Sequence, residues 1–298
     1  MALRTVTGDP QVDALVVVFV PPLAGSGDDV ARVLAERTAG WDRPVVSTFL
    51  AMDGVPEQLR RTRADGTAAR GSIPSYPSPE RAVLALANVV RYAEWRRRPA
   101  GTVPPLSDVD EPAARAVVDA VLAADPAGRD LTADEVARLL GAYGVTVECG
   151  QSTVDGAAPG ADGSGPVTPD GVACVVGVVD DPSFGALVSF GLAGLATDLL
   201  GDRAYAAVPL TDEQAGALLR APRAAPLLSG YRGGPEADTG ALADLLLRVA
   251  RLVDDLPEVL AAELRPVLAR PDGVSVRAAR AWVGPPTSRV PAGPRRLF

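Results

Sequence analysis

Apolar and polar positions change period several times along this chain, and each change marks an element. Residues 14–20, ALVVVFV, are continuously apolar, the pattern of a strand buried on both faces. Pro21 and Pro22 end the run, because proline cannot donate to a ladder. SGDDVARVLAERTAG then repeats its apolar residues at helical spacing, with Ser26 or Asp28 as cap and Gly40 as stop. RPVVSTFL reads as a second buried strand, GVPEQLRRTRAD as a short helix and SIPSYP as a short third strand. Residues 62–71 read as a polar, Gly/Ala-rich loop. Ser78, Pro79 and Glu80 open a long helix through ERAVLALANVVRYAEWRRR, with proline in its first turn. Strands alternating with helices imply right-handed βαβ crossovers and a parallel sheet. Residues 1–98 are therefore expected to form one flavodoxin-like α/β unit.

The pattern changes after Arg98. Residues 99–112 are rich in Pro and Asp and read as a linker. EPAARAVVDAVLAAD reads as a helix, and Thr132 with Glu135 has the spacing of a capping box before another. VTVEC follows as a strand. Residues 150–171, GQSTVDGAAPGADGSGPVTPDG, have no apolar period and are expected to be a flexible or disordered loop. VACVVGVVDD, ALVSFGLAG and AYAAVPL are strand-like. Thr211 caps a helix to Arg220, APLLSGYRGGPEAD is a Gly-rich loop, and TGALADLLLRVARLVDDL is a strongly amphipathic helix. AAELRPVLAR and GVSVRAARAWV read as a closing strand pair around a Pro-Asp-Gly turn. The second half is thus expected to be α+β over residues 113–284, with a tail at 285–298.

Composition narrows the chemistry. At ~150 residues per domain, 298 residues make about two domains. Aromatics are only 4%, so the core must be aliphatic. The chain has no His, and every one of its 29 basic residues is Arg. Lack of His excludes His triads, His metal sites and a phosphohistidine relay within these residues. Lack of Lys excludes a Walker lysine and Schiff-base chemistry. A formal charge of -8 argues against nucleic acid or an anionic membrane as partner. Cys149 and Cys174 read as free thiols, with no His to activate either. No apolar leader opens the sequence, and the longest apolar run is too short to span a bilayer. A soluble, cytoplasmic protein is expected.

RPVVSTFLAMDGVP and SYPSPERAVLALANVVRYAEWRRRP resemble the second flavodoxin-like, CoA-ligase (succinyl-CoA synthetase-like) domain of NDP-forming acyl-CoA synthetases. LTADEVARLLGAYGVTV looks like the opening of their ATP-grasp domain. The segment from DDPSFGALVSFGLAG to EADTG, and then LLLRVARLVDDLPEVLAAELRPVLARPDGVSVRAARAWV, resemble that domain's later half. The same architecture occurs in bacterial GNAT-type protein lysine acetyltransferases, and the tail GPRRLF fits the actinobacterial members. What the resemblance implies is a CoA-ligase domain at 1–98 and a truncated, degenerate ATP-grasp-like domain at 113–284. It implies ATP or ADP, Mg²⁺ and CoA as cofactors, and a CoA-binding or acetyltransferase chain as partner.

This sequence departs from the family where charge is needed. The stretch carrying the family's phosphate-holding lysine should lie between Val147 and Val172, where the Gly/Ala/Pro loop stands. The asparagine of the family's L-N-P motif is Arg265, and the aspartate of its D-A-R motif is Ala278. Asp198 stands where the family has Glu, and Asp202 matches a family Asp. These two could hold residual Mg²⁺ or could be a solvated helix face, and the lost partners favour the second reading. Gly191 and Gly194 could cradle phosphate with their backbone N–H groups, or simply make a tight turn. Arg232, among glycines, could present its guanidinium to an anion or sit in a surface turn. Arg265 could itself pair with a phosphate. Trp95 reads as a domain-packing anchor, and Arg at 96–98 complements a helix dipole. Two functions follow. One is a catalytically inactive regulatory or remnant module with at most weak nucleotide or CoA binding. The other is one subunit or fragment of a split synthetase that forms acyl-CoA with ATP.

Overall fold

The computed structural model describes residues 2–20, 27–49, 54–148, 167–168 and 171–286. The chain divides into two compact units, Met1–Arg98 and Pro99–Phe298.

The first unit holds α1 (Ala2–Thr7), β1 (Leu15–Phe19), α2 (Gly27–Arg37), β2 (Val45–Phe49) and α3 (Pro79–Arg97). β1 and β2 pair in parallel, Leu15 opposite Val45, with α2 as the crossover. Its core gathers Ala31, Leu34, Phe49, Leu59 and Ile73. The helix expected in GVPEQLRRTRAD shrinks to a 3₁₀ turn at Glu57–Leu59. Asp65-Gly66 wins there: it turns the chain so that Thr62 bridges Ala68 and Arg63 N–H donates to the Thr67 carbonyl. The expected strand SIPSYP reduces to bridges from Ser75 to Ser47 and Gly54. Ser78 accepts the Arg81 N–H as the α3 cap. Trp95 is no packing anchor within this unit. It stacks on Tyr92 at 5.7 Å between ring centroids and is 62% exposed.

The second unit opens with α4 (Glu111–Ala124), β3 (Arg129–Asp130) and α5 (Ala133–Gly141). β4 (Val167–Thr168), β5 (Gly171–Asp181), β6 (Gly185–Leu192), α6 (Leu195–Leu199), β7 (Arg203–Ala207) and α7 (Asp212–Arg220) follow. α8 (Thr239–Asp255), β8 (Val259–Arg270), β9 (Gly273–Val276) and β10 (Ala279–Val283) complete it. One eight-stranded antiparallel sheet runs in the order β3-β10-β8-β5-β6-β7, with β4 beside β5 and β9 beside β8. Capping boxes at Thr132/Glu135 and Thr211/Gln214 start α5 and α7. α8 buries Leu242, Leu245, Leu246, Val249, Leu252 and Val253 at helical spacing, against strand residues such as Val176, Phe190 and Leu264. Tyr143, fully buried, donates its hydroxyl to Asp255 at 3.0 Å and ties the end of α5 to the end of α8.

The 99–112 segment is not a free linker. Thr102 N–H donates to Asp212 Oδ1 at 2.8 Å, its carbonyl accepts the Asp212 N–H, and Asp108 pairs with Arg248 at 2.9 Å. Polar side chains at the start of α7 and on α8 thus strap it to the second unit. At the other expected loop, 150–171, Val167 and Thr168 pair with Val172 and Gly171. Residues 150–166 and 169–170 of that loop, Cys149, and 287–298 of the tail lie outside the described residues. No described helix is long and apolar enough to cross a membrane.

Candidate functional site

The helices cover one face of the large sheet. On the other face, the register lines up Arg280, Glu263, Gly177, Ser189 and Tyr205 across β10, β8, β5, β6 and β7. A second row runs through Asp130, Trp282, Ala261 and Val179. Alternation along each strand puts these side chains opposite the buried Val176, Val178, Leu264 and Ala281. Together they line a cleft of about 390 Å³.

Beside this cleft the charged residues form a chain of alternating sign. Arg265 on β8 donates to both oxygens of Asp198 on α6, at 3.2 and 2.5 Å. Asp198 also lies 3.8 Å from Arg203 Nη2, and the same nitrogen reaches Glu263 at 3.4 Å. Glu263 is held from its other side by Arg280 at 2.6 Å. Asp198 raises the already high pKa of Arg265, so this guanidinium stays charged.

Glycines make the chain possible. Arg203 stands opposite Gly191 on β6 and crosses the sheet to Glu263 on β8. A Cβ at Gly191 would lie 3.0 Å from Arg203 Cγ and 2.9 Å from the Asp202 carbonyl. A Cβ at Gly177 would meet Ser189 Oγ at 2.6 Å. The side-chain-free lane therefore accommodates an arginine stem and a hydroxyl.

The residues singled out in the sequence have separate surroundings. Gly191 is inside the sheet, paired on both sides, so its backbone serves the ladders. Gly194, at φ +149°, caps the five-residue α6, and its carbonyl accepts from Thr197 Oγ1 at 2.9 Å. Asp202 accepts the N–H groups of Arg223 and Ala224 at 2.8 and 2.9 Å, fixing the turn after α7. Arg232 occupies a 3₁₀ turn at φ +56°, with its guanidinium 5.4 Å from the Tyr231 ring centroid. Arg265 and Asp198 are brought together. Asp202 and Arg232 are engaged elsewhere.

Mg²⁺ requires several hard oxygen ligands around one point. Here both Asp198 oxygens face a guanidinium, the Asp202 oxygens accept backbone donors, and Ala278 has no ligand atom. The residues do not fit the ion. Among the described residues, no group of three or more His, Cys, Asp or Glu is placed to hold a metal. Cys174 is buried at the sheet–helix interface, and burial pushes its thiol up to about 12, which leaves it unreactive near neutral pH.

Residues 165–283 match the family profile of an ATP-grasp domain. That match lies within the second unit. Over 102 residues the chain is 40% identical to acetate–CoA ligase [ADP-forming] I of Archaeoglobus fulgidus, covering 34% of this chain and 15% of that enzyme. The beta subunit of acetate–CoA ligase [ADP-forming] II of Pyrococcus furiosus is 37% identical over 103 residues, covering 34% of this chain and 44% of the subunit. A solved dinucleotide-forming acetyl-coenzyme A synthetase 1 from Ca. Korarchaeum cryptofilum is 34% identical, with a TM-score of 0.38 over 39% of this chain and 55% of that one. The matched part spans less than half of either curated relative. Its similarity is to ADP-forming acyl-CoA synthetases.

Sequence reasoning did not pick out Arg203, Glu263 or Arg280. A signal existed at Glu263, the one carboxylate in a strand-like run, at strand period from Arg265. The glycine lane that lets Arg203 reach it depends on register, which periodicity does not supply.

Proposed function

We propose that this chain is an NDP-forming acyl-CoA-synthetase-like module that does not itself form acyl-CoA. In this reading it is a regulatory or remnant form, related to the acyl-CoA-synthetase-like region of GNAT-type protein lysine acetyltransferases, with at most weak nucleotide or CoA binding. The observation that carries it is the Arg265–Asp198 pair: on the open face of the ATP-grasp sheet a guanidinium neutralises the carboxylate that a metal would need. The absence of any Lys from the chain points the same way, since no ammonium can hold nucleotide phosphates. The test supplies the full chain with acetate, CoA, ATP and Mg²⁺ and follows acetyl-CoA. No product above the protein-free control is expected, and turnover by the chain alone contradicts the reading.

A second reading has a specific observation in its favour. Two Pyrococcus furiosus relatives are beta subunits of acetate–CoA ligases. In this reading the chain is the ATP-grasp subunit of a split synthetase and completes its site with a CoA-binding chain. Acetyl-CoA formed only after a partner with CoA-binding and phosphohistidine domains is added favours it over the inactive module.

A further inference from the structure

We propose that a cavity in the first unit binds a small organic phosphate, held by Arg43, Arg61 and Arg70 against an aromatic and aliphatic wall. The cavity measures about 650 Å³, within the range of small-molecule sites. Pro44, Val45 and Val46, at the start of β2, border it together with Ile73 and Pro74, which lead into the Ser75 bridge to Ser47. It thus opens where the parallel strands begin, whereas open α/β sheets bind their ligands outside the carboxyl ends of the strands. Every lining residue belongs to the first unit, so the proposal is independent of the sheet face described above.

Charge sets this cavity apart. Among the described residues of the first unit, ion pairs join only Arg32 to Asp29 and Glu36. Arg43, Arg61 and Arg70 pair with no carboxylate there. Asp42 also lines the cavity, which leaves three guanidinium groups against one carboxylate. Backbone carbonyls hold two of the three in place. Arg43 Nη1 donates to the carbonyls of Val12 and, at 3.2 Å, of Asp9. Arg61 Nη2 donates to the Ala39 carbonyl at 3.1 Å. Such bonds fix a guanidinium without neutralising it and leave its other N–H groups to a ligand. Gly71, at φ +89°, lets the backbone pass close to Arg61: a Cβ there would lie 3.0 Å from Arg61 Nη1. The side chain of Arg70, next to it, makes no hydrogen bond or ion pair among the described residues. Forked N–H donors match phosphate oxygens. Trp41, Tyr76, Leu86 and Val89 form an apolar wall that inorganic phosphate would leave unfilled. The chain's charge of -8 repels anions at long range, so an anion is retained only where guanidinium groups locally outnumber carboxylates.

The experiment titrates the full chain calorimetrically with phenyl phosphate, inorganic phosphate and benzyl alcohol, with folding followed by circular dichroism. Phenyl phosphate is expected to bind at about millimolar or tighter, and at least roughly tenfold more tightly than either of the other two. Arg61→Ala and Arg70→Ala should each weaken it at least about fivefold. Arg220→Ala, exposed on α7 of the second unit, should leave it unchanged. If Arg61→Ala does not fold, Arg70→Ala, whose side chain has no described contact to lose, is read alone. Absence of phenyl phosphate binding overturns the proposal, as does equal affinity for inorganic phosphate or for benzyl alcohol. So does binding that Arg70→Ala leaves intact, or a loss in Arg220→Ala as large as in Arg70→Ala.

Discussion

Arg265 of β8 and Asp198 of α6 meet nitrogen pair to oxygen pair, 67 residues apart in sequence. This contact fixes the short helix α6 against the open face of the sheet. Each partner is only partly exposed, so the pair should contribute more than a free surface ion pair but less than a buried one. A double-mutant cycle with Arg265→Ala and Asp198→Ala should give a coupling of about 1 kcal/mol by urea denaturation. The coupling should shrink only modestly between low and high salt, because the partners touch. Additive effects of the two substitutions contradict the pairing.

Gly191 gives way to the Arg203 stem and to the Asp202 carbonyl, and the carbonyl cannot rotate aside. Gly191→Ala should therefore destabilise the fold by roughly 1–3 kcal/mol, as overpacking does. At Gly177 an added Cβ is too close only to the Ser189 hydroxyl, with the Ala262 carbonyl and Arg203 Nη1 at 3.7 and 4.0 Å, so Gly177→Ala with Ser189→Ala should recover most of the loss caused by Gly177→Ala. Denaturation midpoints of the four proteins check both statements. A neutral Gly191→Ala contradicts the glycine-lane account.

Glu135 accepts two hydrogen bonds from Arg129 and the Thr132 N–H, all at 2.8 Å. Arg129 first, then the backbone donor, lowers its carboxyl from about 4.5 to about 2. A depressed pKa stabilises the fold above the ordinary value, and that increment is lost as pH falls through the folded value. Stability should thus fall between pH 4.5 and about 2 in a step that Glu135→Gln lacks. Near neutral pH, Glu135→Gln should cost about 1 kcal/mol through the weakened capping box. Urea unfolding of both proteins across this range is the measurement, and parallel curves contradict the assignment.

Cys174 lies in the core with its thiol pushed up to about 12 by burial. Alkylation mapped by mass spectrometry should leave it unmodified in the native protein at mildly alkaline pH and modify it fully in denaturant. Labelling of native Cys174 within minutes contradicts its burial.

Much of the second unit was legible in the sequence because its signals are local. The Thr132/Glu135 and Thr211/Gln214 boxes, the apolar stripe of α8 and the β-branched run of β5 each state their own structure. The first unit was less so. Asp65-Gly66 closed a small hairpin where helical spacing predicted a helix, and SIPSYP contributed bridges rather than a strand. The 99–112 segment misled because its Pro and Asp content suggests a linker, whereas Asp108 is anchored by Arg248, 140 residues away. At the site, the spacing of Asp198 and Asp202 left open a shared Mg²⁺ or a solvated helix face, with the second favoured. Their partners, Arg265 for one and backbone donors at 223 and 224 for the other, come from distant segments that only the folded register brings near.

We propose that the sheet matched by the ATP-grasp profile holds internal ion pairs where metal-dependent phosphate contacts would need a free carboxylate. Calorimetric titration of the full chain with ATP, in Mg²⁺ and again in excess chelator, tests it most directly. Two or three lost charge-assisted contacts, each worth ~1.5–3 kcal/mol, weaken a micromolar site to millimolar or beyond. The account predicts weak or undetectable heat, identical with and without the chelator. Micromolar ATP affinity that collapses when Mg²⁺ is removed would contradict it.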